Sequence, residues 1–388
     1  MQLVTGTQPG PATDGSEITP EPSTNSPMAN SLTAGMLPRH TSLWILLASW
    51  VVSAATFLIL YLAEQSAPGT AAGSEGESFN YIGALVVGTA LYLVVIYLLS
   101  RAVEGQRKAV DRLVTGLVAV AFGLALIPLI SLISTTVAFG ATRFDLTFFT
   151  NSMRNIVGSG GGGLHAILGT TLVTVAASII SVPIGLLTAI YLVEYGRGHL
   201  ARGITFFVDV MTGIPSIVAG LFAYALLAIF FGPGIRLGIG GAIALSLLMI
   251  PTVVRSSEEM LKLVPNDLRE AAFALGVPKW LTVLKVVLPT SSAGIITGIT
   301  LAIARVIGET APLLIIAGFT QSMNYNLFDG RMMTLPVFVY NSYVSQGTDA
   351  QAYVDRAWTG ALTLILIVMV LNLAARIISR IFSPKPGR

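Results

Sequence analysis

Cysteine is absent from this chain of 388 residues. Disulfides, thiolate metal sites and iron–sulfur clusters are thereby excluded, and the redox compartment leaves no trace in the sequence. Histidine is scarce: the three present (His40, His165 and His199) are too scattered to form a zinc ligand set. Charge is scarce as well. Only 11% of residues are Asp, Glu, Lys or Arg, against 54% hydrophobic, whereas a soluble domain carries about 25% charge. Most of the chain must therefore be solvated by lipid. No Ser/His/Asp constellation and no paired-carboxylate site occurs, and no cofactor is expected on this chain. The run Gly158 to Gly163 lacks the Lys-Ser/Thr that completes a phosphate-cradling loop, so it reads as a flexible turn. With no nucleotide-binding motif, the chain is not expected to hydrolyse ATP by itself, and no nucleic-acid partner is expected.

What the chain has is long apolar runs, at 44–63, 80–100, 113–137, 164–192, 207–231, 239–256, 291–316 and 357–381. A span needs about 20 apolar residues, so the pattern predicts an all-α integral membrane protein of eight helices. Residues 1–40, rich in Pro, Ser, Thr and Gly, are expected to form a disordered tail. Their lack of a basic start argues against a signal peptide. With the N-terminus placed in the cytoplasm, the inner segments hold 15 of the 22 Lys and Arg and the outer segments 5. The opposite placement would invert this bias, so both termini and the loop over 257–290 are predicted to be cytoplasmic. Five consecutive spans contain a proline: Pro128, Pro183, Pro215, Pro251 and Pro312. Each frees a backbone carbonyl and permits a bend. The proline pattern implies a working core from about 113 onward; the domains are accordingly drawn as a core over 106–384 and a two-helix extension over 41–105, with Pro251 and Pro312 as candidate hinges.

The loop is long and polar. Asn266 or Asp267 can cap a short helix over Leu268 to Leu275, which Gly276 ends. Lys279 to Leu288 fits a second short helix, and Pro289 re-enters the membrane. Ala271, Ala272 and Ala274 would let a partner's groove close tightly. Two readings fit these residues: a docking surface, or an amphipathic helix lying at the membrane interface. The residues alone leave both open. Glu270-Ala271-Ala272, three residues, Gly276, nine residues, Val286, one residue, then Leu288-Pro289 resembles the loop signature of ABC-importer permeases. That resemblance implies a coupling helix seated in a cleft of an ATPase subunit.

Arg305 and Glu309 lie inside the span 291–316. A charge at mid-helix costs about 2.5–3.5 kcal/mol on insertion scales. At i and i+4 the two share a helix face and can pair, although Pro312 should loosen the helix beside Glu309. Arg255 lies near the inner end of the preceding span, with Glu258 and Glu259 following it. One reading makes Arg305 the lining of an anion pathway, since guanidinium grips oxyanions through parallel hydrogen bonds. The other makes the pair a structural device. Arg255 can serve the pathway or snorkel to the interface. Thr212, Ser216, Thr252 and Ser256 are candidate neutral donors. Gly213, Ser216 and Gly220 form a small-residue packing face.

The runs TGIPSIVAGLFAY (212–224), IPTVVRSSEEMLKLVPNDLREAAFALGVPKW (250–280), LAIARVIGETAPLL (301–314) and VEYGRG (193–198) resemble the A-type permease subunits of phosphate-specific (Pst) ABC importers. The resemblance implies a type I importer core of six spans, inorganic phosphate as substrate, and Arg255, Arg305 and Glu309 as functional positions. It further implies a C-type permease partner, a cytoplasmic ATPase dimer carrying ATP and Mg, an extracytoplasmic phosphate-binding protein, and a place in the bacterial cytoplasmic membrane. The two N-terminal spans depart from the six-span pattern. The alternative from the residues alone is an anion transporter or channel driven by ion gradients, which the loop signature does not fit. A membrane scaffold or sensor would need no intramembrane charges.

Overall fold

The computed structural model describes residues 37–38, 40–65 and 79–382; the tail expected over 1–40 falls almost wholly outside them. The described residues form helices joined by turns, with no strand among them. Close packing divides the chain into two units, one up to Pro128 and one from Leu129.

The first unit holds α1 (Thr41–Gln65), α2 (Tyr81–Val103) and the start of α3 (Gln106–Gly140). Gly88 of α2 lets Trp50 lie against the backbone. The Trp50 indole donates to Thr89 Oγ1 at 3.1 Å, and Ser53 Oγ donates to the carbonyl of Ala84 at 2.6 Å. Trp50 is thus a packing residue, while Trp44 remains exposed. Between α2 and α3 a polar latch closes. Arg112 grips Glu104 through two hydrogen bonds of 2.6 and 2.8 Å, and Ser100 Oγ and the Leu37 amide add bonds of 2.8 and 2.9 Å to the same carboxylate.

In the second unit, after the short α4 (Leu146–Thr150), α5 (Leu164–Ile190) crosses α8 (Gly238–Lys262) where Gly185 meets Val253. Next to α8 lies α11 (Leu288–Val306), brought close because Gly298 leaves room for Ser256. The core consists of Phe148, Val173, Leu245, Met249, Val253, Leu313, Leu335 and their neighbours. α13 (Leu335–Val344) and α14 (Ala350–Phe382) complete the chain. Among the described residues, seven helices are long and apolar enough to cross a membrane, or eight when one bent pair is counted as a span.

That bent pair corrects the continuous span expected over 207–231. α6 (Gly198–Thr212) and α7 (Ser216–Phe231) meet at 109°. Gly213 is a weak helix former, and Pro215 both disfavours helical backbone at Ile214 and lacks an N–H. The span expected over 291–316 is also broken. α11 ends at Val306, and a separate α12 (Ala311–Ile316) begins after four residues. The Gly-rich run is no flexible connector. Arg356, fully buried, donates to the carbonyls of Gly158 and Gly160 at 2.8 and 2.7 Å, and a β-carbon at Gly163 would meet the Phe148 ring at 2.6 Å.

Candidate coupling loop and intramembrane charges

The loop folds from its own punctuation. α9 (Asn266–Ala274) starts directly after Pro265, so neither Asn266 nor Asp267 acts as the side-chain cap expected of them. At the other end Gly276 adopts φ +75°, and the amides of Gly276 and Val277 close back on the carbonyls of Phe273 and Ala272 at 2.9 and 3.1 Å. This left-handed turn is the C-terminal helix stop that glycine favours. The second half differs from the expectation of a separate short helix. α10 (Lys279–Thr282) passes through a π-turn at Val283–Val287 straight into α11, giving one helix over Lys279–Val306. Pro289 cannot donate to a carbonyl one turn back, and the wider turn accommodates its ring without ending the helix.

Arg269 anchors the loop. Its Nε donates to Glu194 Oε1 at 3.0 Å and Nη2 lies 2.9 Å from the same oxygen, while Nη1 and Nη2 cap the carbonyls of Val264 and Leu261 at 2.5 and 3.0 Å. The side chains are 13% and 6% exposed, so the pair is sheltered from water. Lys279 adds a hydrogen bond to the Glu194 carbonyl and stands 5.0 Å from the centre of the Tyr195 ring. Thus anchored, the loop turns Glu270, Ala271, Ala274 and Gly276 outward, together with the apolar side chains of Leu268, Phe273, Leu275 and Trp280. Ala272 faces inward instead of lining the outer surface. Leu288 is half-buried and Pro289 exposed where the helix leaves the loop. An exposed apolar patch rimmed by charge marks an interaction surface.

Arg255 is committed to carboxylates. Its Nη1 donates to Glu258 Oε2 at 2.9 Å and its Nη2 to Asp209 of α6, while Lys262 reaches the other oxygen of Glu258 at 2.7 Å. Glu259 is exposed. Pro251 lies inside an unbroken α8. Arg305 sits in the last turn of α11, exposed, and forms no hydrogen bond or ion pair among the described residues. The expected pairing with Glu309 is not formed. Pro312 has no N–H for the Gly308 carbonyl, the chain unwinds over 307–310, and the Glu309 amide closes a tight turn on the Val306 carbonyl at 3.1 Å. Glu309 therefore leaves the face that Arg305 occupies. Pro312 opens α12 and meets α7 where Gly220 lacks a side chain; a β-carbon there would lie 2.6 Å from the Pro312 Cα. Thr212 and Ser256 spend their hydroxyl protons on carbonyls of their own helices.

Residues 181–388 match the family described as binding-protein-dependent transport system inner membrane component. The chain belongs to this family. Within it, the phosphate transport system permease protein PstA of Mycobacterium leprae is 44% identical over 278 residues, covering 70% of this chain and 90% of the relative. The PstA of Yersinia pestis is 40% identical over 284 residues, covering 72% and 92%. An inward-facing conformation of the MetNI methionine ABC transporter aligns at 21% identity over 57% of this chain and 94% of that one, with a TM-score of 0.45.

For a permease of this family the structure brings Glu270, Ala271 and Gly276 to one surface, and keeps Arg255 and Arg305 apart in their partners: the first neutralised, the second bare. Sequence reasoning missed Arg269, Glu194 and Asp209. For Glu194 a signal existed: it is the lone acid at the end of a span of 164–192. Nothing local, however, told that its partner lies 75 residues away.

Proposed function

We propose that this chain is the A-type half of a translocation pore that imports inorganic phosphate, driven by ATP bound with Mg on separate cytoplasmic ATPase subunits. A C-type permease forms the other half, and an extracytoplasmic binding protein delivers the phosphate. The chain itself holds no cofactor. The termini and the loop over 257–290 face the cytoplasm, in keeping with the excess of Lys and Arg on that side. Glu270, Ala271, Ala272, Gly276, Leu288 and Pro289 belong to the coupling element, Arg305, Glu309 and Arg255 to the substrate pathway, and Pro251 and Pro312 to the hinges.

The observation that carries this reading is the loop: signature spacing, an apolar exposed tip, and a sheltered ion pair that holds it rigid. The relatives' phosphate-system names support the substrate. A bare guanidinium at the end of a membrane helix suits an oxyanion, because an intramembrane cation needs a counter-charge or a watery path. The gradient-driven alternative would account for broken helices and for an intramembrane Arg305–Glu309 pair, but that pair is not formed and the loop is left without a use.

The test is uptake in proteoliposomes that contain the partner subunits and binding protein. Phosphate should accumulate only with ATP inside the compartment that exposes the loop; accumulation driven by a proton or sodium gradient without ATP would sink the proposal. Arg305→Gln should abolish uptake while the subunits still co-purify. Normal uptake by that variant removes Arg305 from the pathway.

A further inference from the structure

At the end of α8 opposite the coupling loop, two more arginines share a cavity. Arg236, in the turn before α8, and Arg331, in the segment before α13, both line a space of about 500 Å³ together with Tyr224 and Leu314. Their stems converge on Gly318. A β-carbon there would meet the Arg236 Cδ at 2.9 Å and the Arg331 Cδ at 3.4 Å, and the backbone of Gly318 is left-handed at φ +70°. Glycine is therefore what lets both guanidinium stems approach.

The position of each arginine is fixed by the residue that follows it. The Leu237 amide donates to the Ile316 carbonyl at 3.0 Å, and the Met332 amide to the Ala317 carbonyl at 3.1 Å. These two bonds pin both arginines to the end of α12. They also occupy carbonyls that would otherwise repel an anion. Neither guanidinium has a hydrogen bond or an ion pair among the described residues. Asp329, two residues before Arg331, is exposed and forms no ion pair. Tyr224 accepts a hydrogen bond from the Gly234 amide at 2.9 Å, and its own proton has no acceptor among the described residues. Two like charges whose stems meet at Gly318 and which line one cavity, Arg236 half-buried and Arg331 exposed, form with a free hydroxyl proton and no carboxylate a donor set that lacks its acceptor. Planar guanidinium forks match the oxygen spacing of a tetrahedral oxyanion.

We infer that Arg236 and Arg331, with Tyr224, form a binding site for a phosphate-type oxyanion on the face opposite the coupling loop. It lies one α12 length, about 9 Å, from the break that carries Glu309. The inference rests on the import reading above and deepens it: the anion is received at this pair before it reaches Arg305.

The test uses the complete importer in phosphatidylcholine vesicles, and a second set containing anionic phospholipid. Phenylglyoxal labelling of Arg236 and Arg331 is read by mass spectrometry with inorganic phosphate or chloride in the bath at equal ionic strength. Phosphate should slow labelling at both arginines and chloride should not; Arg331→Gln should remove the protection at Arg236, and Arg331→Lys should restore part of it. In uptake, each Gln substitution should lower ATP-driven phosphate transport by about tenfold or more, the worth of a charged hydrogen bond. Assembly and capture of the phosphate-free binding protein should stay at the wild-type level. Three results would overturn the site: no protection by phosphate, protection by anionic lipid in chloride, or protection by the phosphate-free binding protein, which would make the arginines a protein contact. Wild-type vesicles that take up no phosphate with ATP sink the import reading; the labelling result stands apart from it.

Discussion

Replacing Arg269 with Met should loosen the coupling loop without disturbing the membrane helices around it. The side chain of Glu194 is 6% exposed and that of Arg269 13%. Removing the guanidinium would strand a sheltered carboxylate and uncap the carbonyls of Leu261 and Val264. Breaking a buried pair costs about 3–5 kcal/mol. Because the loop can open locally to wet Glu194, the lower end applies. About 3 kcal/mol corresponds to an opening equilibrium raised on the order of 100-fold. Hydrogen exchange on the assembled complex reads this directly: amides over 263–278 should exchange faster by that order, while those in the middle of α5 and α8 keep their rates. The double variant Glu194→Gln, Arg269→Met removes both charges and should fall between wild type and Arg269→Met. If the single variant exchanges like wild type, or the double variant is the worse of the two, the pair does not hold the loop and the anchoring argument fails.

Two other predictions concern the latch and the loop turn. Hydrogen bonding from Arg112, supported by the Leu37 amide and Ser100 and opposed by burial, holds the Glu104 carboxyl at about 2 instead of 4.5. The folded group releases its proton at lower pH than the unfolded one, so the latch contributes fully above pH 4.5 and its contribution drains as pH falls towards 2. The thermal midpoint of Glu104→Gln should accordingly lie below wild type at pH 6, with the gap closing on acidification; a gap that does not change with pH assigns the stabilisation elsewhere. Gly276→Val places a branched side chain at φ +75°, a genuine outlier for such a residue, and should reduce co-purification of the ATPase subunits. Unchanged co-purification would take the loop turn out of the docking surface.

The membrane architecture was legible because span length and apolar content are properties of a short window, and seven of the eight expected spans have their helix where the apolar runs lie. The failures share a cause. The i,i+4 argument that joined Arg305 to Glu309 presupposed a continuous helix, yet the same Pro312 that loosens the chain denies the two residues a common face. Gly213 and Pro215 announced a break inside 207–231, but apolar content on both sides masked it. Pro289 announced a break that a π-turn absorbed. In each case the local signal was present, and the outcome was decided by how the backbone could re-satisfy its hydrogen bonds. Arg269 to Glu194, Arg255 to Asp209 and Arg356 to the glycine carbonyls are different in kind. They join residues 46 to 198 positions apart, and no periodicity or spacing encodes such a meeting.

The absorbed break has a mechanical consequence. With no interruption between Lys279 and Val306, the second half of the coupling loop and the helix bearing Arg305 are one rod of 28 residues, about 42 Å long. On the function proposed here, a displacement imposed on the loop by an ATPase subunit would be carried along that rod to Arg305, not dissipated at Pro289. The rod has two compliant places, the π-turn at Val283–Val287 and its free end at Val306. Beyond that end the unwound residues 307–310 let α12 remain seated on α7 through Gly220 and Pro312. On the function proposed here, ATP binding therefore moves Arg305 relative to Glu309 and α12, and the broken helix, which the sequence marked as loosened beside Glu309, becomes the joint across which the substrate charge is passed.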